Sequence, residues 1–122
     1  MTYFFDTYAL IEIIKGNPGY KEYKKEEIIT TRLNLMELYY SLLRLFNEQT
    51  ADNYFNFFLP SCVPVENIII TTAMKFRLEQ RKKRNLISYI DCIGYFVALQ
   101  NNVRLLTGEK HFLELKNVEF VR

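Results

Sequence analysis

The chain of 122 residues, 49% hydrophobic and 25% charged, has the length and balance of one globular domain, expected to span residues 1–122, and leaves no room for a second. Sixteen basic against fourteen acidic residues give a formal charge of +2, so any surface that attracts a polyanion has to be local. Cys62 and Cys92 match no metal-ligand or redox spacing, and Met1-Thr2-Tyr3-Phe4-Phe5-Asp6 lacks the basic region of a signal peptide. The longest uncharged run, 53–65, falls short of the ~18 residues a membrane span needs. The expectation is a cytoplasmic protein with no membrane partner.

Tyr3-Phe4-Phe5 reads as a short strand ended by Asp6-Thr7. From Tyr8 the apolar spacing becomes helical through Leu10, Ile11, Ile13 and Ile14, with Lys15-Gly16-Asn17-Pro18-Gly19 as a stop. Ile28-Ile29-Thr30 is a second strand, and Thr30 or Thr31 caps a helix with Leu35, Leu38, Leu42, Leu45 and Phe46 on one stripe. Residues 48–59 read as a shorter aromatic helix and 60–65 as a short strand or extended crossing. A helix over 66–84 ends in Arg81-Lys82-Lys83-Arg84, the charge sign that a helix C-terminus favours, and Asn85 breaks it. Ser88 caps the next helix, 89–99, which stops at Asn101-Asn102. Residues 103–106 form a strand, His111-Phe112-Leu113 a single turn, and 118–121 an edge strand. Alternating strands and helices predict a three-layer α/β/α sandwich around a mostly parallel central sheet.

The chain has only three aspartates, and two stand where a solvated surface is hard to arrange. Asp6 closes the first strand, and ligand sites in open parallel sheets form outside the carboxyl ends of the strands. Asp91 lies in the most apolar helix, where an unpaired carboxylate has to be neutralised, hydrogen-bonded or metal-bound. Glu37 interrupts another apolar stretch, and Glu109 follows the strand over 103–106 in a Thr-Gly turn. If the first strand and that strand are neighbours, the four carboxylates converge at one end of the sheet. Like charges that close need a cation, and an all-oxygen set suits Mg²⁺ or Mn²⁺ in phosphoryl transfer. The alternative is four unrelated acids serving as helix caps and salt-bridge partners.

The residues resemble the PIN-domain ribonucleases, and among them the short VapC-type toxins of toxin–antitoxin pairs, over nearly the whole chain. The resemblance rests on Phe5-Asp6-Thr7, Asn34-Leu35-Met36-Glu37-Leu38, Tyr89-Ile90-Asp91-Cys92 with Ala98, and Thr107-Gly108-Glu109-Lys110-His111-Phe112, in that order and spacing. It implies that Asp6, Glu37 and Asp91 form an acidic metal site with Glu109 as a fourth acid, a place where the family usually has aspartate. Glu109 ranks last of the four, and Thr7, Asn34 and Thr107 match positions that orient the acids. The resemblance further implies Mg²⁺- or Mn²⁺-dependent cleavage of RNA, a homodimer, and inhibition by a cognate VapB-like antitoxin.

Arg77 and Arg81 to Arg84 either guide an RNA backbone or face solvent at a helix end. Tyr20, Tyr23, Tyr39 and Tyr40 either stack on bases or pack in a core or interface. His111, the only histidine, is read as ordering the final turn, and Cys92 as a buried small hydrophobe. The scattered glycines form no phosphate loop. A receiver-like phosphoacceptor lacks its acidic pair here, and an aspartate-nucleophile phosphatase lacks its second aspartate, where Tyr8 stands. A non-catalytic PIN-like module that binds RNA or a protein stays open as the alternative to an endoribonuclease.

Overall fold

The computed structural model describes residues 1–122. Strand β1 (Thr2–Phe5) lies inside a four-stranded parallel sheet of order β2-β1-β3-β4, with β2 at Glu27–Ile29, β3 at Arg104–Thr107 and β4 at Val118–Phe120. Every neighbouring pair is parallel, with Phe4 opposite Ile29 on one side and Leu105 on the other. Tyr3, Phe4 and Phe5 are all buried, which is why β1 is uniformly apolar rather than alternating.

The two-residue pleat sends these side chains to two cores. Tyr3, Phe5 and Leu106 pack with Leu10 of α1 (Thr7–Lys15), with Leu35, Leu38 and Leu42 of α2 (Arg32–Leu45), and with Phe58 of α3 (Glu48–Phe58). Phe4 and Leu105 turn the other way, against Ile69 and Ala73 of α4 (Asn67–Lys82) and Cys92, Val97 and Ala98 of α5 (Tyr89–Gln100). The three-layer sandwich expected from the sequence is therefore present, and the first strand and the 103–106 strand are neighbours.

Local details depart from the sequence reading at several points. Of the two readings for residues 60–65, the extended crossing is the one observed: after a 3-10 turn at Leu59–Ser61 the segment makes a single bridge between Cys62 and Thr30, and Pro60 and Pro64 supply no N–H to a longer ladder. The stop after α1 leads into a 3-10 helix, Pro18–Lys25, capped by Asn17 and anchored by buried Tyr20, whose hydroxyl donates to the Val121 carbonyl at 2.6 Å. Thr31, rather than Thr30, caps α2. Leu45 and Phe46 are half exposed, because the buried stripe of α2 ends at Leu42.

The chain leaves β1 through α1 toward β2, then returns through α2–α5 to β3 on the opposite side of β1. That reversal puts a crevice at the carboxyl ends of β1 and β3, the place where open parallel sheets bind ligands. Gly108 closes it: a Cβ there would collide with the Tyr8 ring and the Val121 carbonyl oxygen. Gly108→Ala is expected to destabilise the fold by about 1–3 kcal/mol, read as a lower urea midpoint at unchanged slope.

Candidate functional site

Asp6 follows β1 directly, and its carboxylate caps α1: Oδ1 accepts from the Ala9 N–H at 2.9 Å. A cap of this kind ties the acid to the strand end, since the helix must begin where the strand stops. The side chain is 2% exposed, and its second oxygen, Oδ2, is buried without a hydrogen-bond partner. Burial above all, reinforced by the charges of Asp91 and Glu109, pushes its pKa up to about 8, against the pull of Thr107 and the Ala9 N–H.

Asp91 sits in the first turn of α5, three residues after its cap, with Ser88 Oγ accepting from the Asp91 N–H at 3.1 Å. Its pKa is raised to about 6, first by burial and then by Glu37 and Glu109, while Ser88 and His111 act in the opposite sense. The acid thus enters through the open end of an otherwise apolar helix, where the macrodipole favours negative charge.

Glu37 comes from α2 and is held by a polar relay. Thr31 Oγ1 donates to Asn34 Oδ1 at 2.6 Å, Asn34 Nδ2 donates to Thr7 Oγ1 at 3.2 Å, and Thr7 Oγ1 donates to Glu37 Oε1 at 2.6 Å. Thr31 and Asn34 are fully buried, so the relay has one consistent donor direction and aims one oxygen of Glu37. Sequence reasoning put Thr7 and Asn34 next to the acids; it treated Thr31 only as a helix cap. Thr107 accepts from the Glu109 N–H at 2.9 Å. Glu109 is turned toward His111: Oε1 accepts from the His111 backbone N–H at 3.2 Å and pairs with the imidazole Nδ1.

The fold brings Asp6, Glu37, Asp91 and Glu109 together around one cavity of about 250 Å³, with Thr7, Tyr8 and Ser41 completing the wall. Tyr8 and Ser41 escaped the sequence reading, although each follows a recognised residue by one position or one helical turn. As they stand, no three of the His, Cys, Asp and Glu side chains form a group that could hold a metal ion. The donor set still fits a hard divalent ion: it is all oxygen, it includes an orphaned carboxylate oxygen, and Mg²⁺ is commonly held by one or two carboxylates and several waters.

Other candidate residues have structural roles. The Tyr23 hydroxyl donates to Glu119 and that of Tyr39 to Asp52, each at 2.6 Å, whereas Tyr40 is exposed. Arg77 donates to the Ile87 carbonyl and lies 4.1 Å from the Tyr89 ring centroid, and Lys82 pairs with Glu79. Cys92 is buried, and no helix is long and apolar enough to cross a membrane.

The family model described as the PIN domain matches residues 3–118, and the chain belongs to that family. Its fold is similar to that of a chain in the crystal structure of VapBC2 from Rickettsia felis bound to a DNA fragment from their promoter. There the identity is 20% and the TM-score 0.77, with 100% of each chain covered. A chain of VapBC-1 from nontypeable Haemophilus influenzae is 17% identical with a TM-score of 0.75, over 98% of this chain and 96% of that one. A toxin-antitoxin complex from Klebsiella pneumoniae contains a third similar chain, 19% identical, TM-score 0.74, over 96% and 95%. At these identities the likeness is one of fold. No curated protein matches the sequence.

The raised acids make stability depend on pH in a defined direction. Unfolded, the Asp6 carboxyl titrates near 3.9; folded, near 8. Between these values the native state binds more protons, so in chelator the wild type is expected to lose stability as pH rises from 4 to 8. The slope is at most about 1.4 kcal/mol per pH unit from this group. Asp6→Asn keeps an oxygen for the Ala9 N–H and is expected to flatten the curve above about pH 7, where Asp91, titrating near 6, is nearly fully ionised. Urea midpoints of both proteins across this range check it.

Proposed function

We propose that this PIN-domain chain is a metal-dependent endoribonuclease that hydrolyses RNA phosphodiester bonds and acts as the toxin of a toxin–antitoxin pair in the cytoplasm. The observation that carries the reading is the gathering of four carboxylates around one cavity, with Asp6 Oδ2 buried and unpartnered. A divalent ion, Mg²⁺ or Mn²⁺, held there would supply Lewis acidity toward the phosphate and make a water it binds more acidic.

In this reading Asp6 and Asp91 would be the principal ligands, because burial and neighbouring carboxylates raise the pKa of both and leave them with most to gain from a cation. Glu37, aimed by the relay through Thr7, Asn34 and Thr31, takes a third place. Glu109 takes the fourth place, with Thr107 holding its backbone. The cluster itself repels a phosphodiester, so substrate and cation are expected to bind together. No side chain has to act as nucleophile, and the Tyr8 and Ser41 hydroxyls on the wall are free to bind substrate oxygens.

The antitoxin part of the proposal draws on the VapBC structures of similar fold and on the surface beside the site. A groove of about 490 Å³ between α2 and α3, lined by Met36, Tyr39 and Phe55, is an apolar surface of the kind that receives a protein segment. A homodimer belongs to the same proposal, supported by exposed Ile68, Ile70 and Leu78 along α4. The alternative, a non-catalytic PIN-like module that binds RNA or a protein, has two observations in its favour: Glu109 is already engaged by His111, and no three of the acids stand close enough to share an ion.

Purified protein free of antitoxin is expected to cut cellular RNA into discrete products with Mg²⁺ or Mn²⁺ and to be silent in chelator. Asp6→Asn and Asp91→Asn are each expected to lower the rate by roughly a hundredfold or more. Mn²⁺ should also raise the thermal midpoint of the wild type and leave that of Asp6→Asn nearly unchanged, a readout independent of turnover. A folded wild type that cuts nothing under either metal makes the non-catalytic module the correct reading.

A further inference from the structure

A second polar cavity, of about 320 Å³, lies between the C-terminal turn of α4 and the turn that follows β3, and no hydrophobic residue lines it. Lys83 and Arg84 contribute from the first of these turns, Lys110 from the second, and Glu114 is the only carboxylate on the wall. The cavity therefore carries three cations against one acid. None of the three cations has an acidic partner within 4.0 Å, although Lys82, beside them, pairs with Glu79.

These cations are not needed to finish the helix. Two of the last carbonyls of α4 are already occupied by backbone: Gln80 accepts from the N–H groups of Lys83 and Asn85, and Arg81 from that of Arg84. Arg84 is held at φ 64°, in the left-handed region, so the chain turns sharply there instead of continuing the helix into solvent. Asn85 fixes the two turns to each other, with its Nδ2 donating to Gln80 Oε1 at 2.9 Å and to the His111 carbonyl at 3.0 Å. The result is a rigid frame holding unpaired positive charge.

The cavity adjoins the acidic site through one contact. His111 lines the basic cavity, Glu109 lines the acidic one, and the two side chains are paired. A polyanion that places one phosphate among the acids has to run outward across a rim where most of the site repels it. The basic cavity is a neighbouring place that attracts it.

Building on the endoribonuclease reading, we propose that Lys83, Arg84 and Lys110 seat a backbone phosphate of the RNA strand one step removed from the cleaved linkage. The Glu109–His111 pair is the partition between the two phosphate positions. Lys83 and Lys110 act as point charges on the phosphate, and Arg84 offers a guanidinium fork. Glu114 opposes them, which keeps the cavity from binding any small anion tightly and leaves occupancy to a phosphate delivered by the rest of the strand.

The test compares the wild type with a Lys83→Gln/Lys110→Gln variant and with a Lys75→Gln/Lys116→Gln control, all four lysines being exposed. Binding of a labelled, hydrolysis-resistant single-stranded RNA analogue is measured in Mn²⁺ over a range of salt, and cleavage of RNA in Mn²⁺ on the same preparations. The cavity variant is expected to bind roughly tenfold more weakly, with a plot of log K against log salt shallower by about one to two, while the control follows the wild type. Equal weakening in variant and control overturns the proposal, because the effect is then one of overall charge. A wild type that cleaves RNA, beside a cavity variant that binds as the wild type does, overturns the phosphate seat and leaves the nuclease standing. A wild type that neither cleaves nor binds RNA overturns both.

Discussion

The structure depends on a carboxylate placed where water cannot solvate it. Asp6 stands at the end of a strand whose three aromatic residues are buried on both faces, and one of its oxygens has no partner. A lone buried carboxylate is destabilising, and the fold responds by giving up ionisation near neutral pH. Thr107 and the Ala9 N–H offset part of that cost, and a proton or a cation would relieve the rest. The N-cap bond to Ala9 prevents the side chain from escaping to solvent, so the strain is kept at the sheet end.

Sheet order converts this single strained acid into a site. Because β2 and β3 flank β1 on opposite sides, the chain opens a crevice at the carboxyl ends of β1 and β3, and Asp6 and Glu109 follow those two strands. Helices on the two faces then each contribute one acid: α2 supplies Glu37 and α5 supplies Asp91. Three of the carboxylates are restrained by local partners, Asp6 by the Ala9 N–H, Glu37 by Thr7 and Glu109 by His111, while Asp91 is placed by the backbone of the first turn of α5, where its N–H donates to Ser88. Repulsion among the acids is therefore held by the scaffold, although as they stand no three of them are close enough to share an ion.

Much of the architecture was legible from pattern because burial leaves a direct imprint on composition. The aromatic run of β1, the leucine stripe of α2 and the apolar α5 each mark a surface facing the sheet, and their alternation is that of a layered α/β protein. Two features were not legible. The 3-10 helix over Pro18–Lys25 looks like a loop, since its single buried anchor, Tyr20, finds its partner at Val121, at the far end of the chain. The segment 60–65 reads equally as a strand or an extended crossing, and only the packing decides for a crossing with one bridge, between Cys62 and Thr30. The half-exposed Leu45 and Phe46 continue a periodic stripe past the point where there is anything to pack against.

For the candidate site, the residue types and their placement at strand ends and in apolar helices single out Asp6, Glu37, Asp91 and Glu109, because an acid in a hydrophobic setting is costly unless something answers it. Thr7 and Asn34 were legible beside them only through resemblance to a family. What the sequence by itself determined is thus the inventory: which strands are buried, which helices cover them, and which acids have no ordinary reason to be there. Tertiary structure alone decided which groups meet. It set Thr31 behind Asn34 in the relay to Glu37, put Tyr8 and Ser41 on the cavity wall, paired Glu109 with His111, and joined Lys83 and Arg84 to Lys110 across two turns. Local periodicity records only whether a side chain faces apolar surroundings, whereas a hydrogen bond or a shared cavity depends on the crossing of elements far apart in the chain.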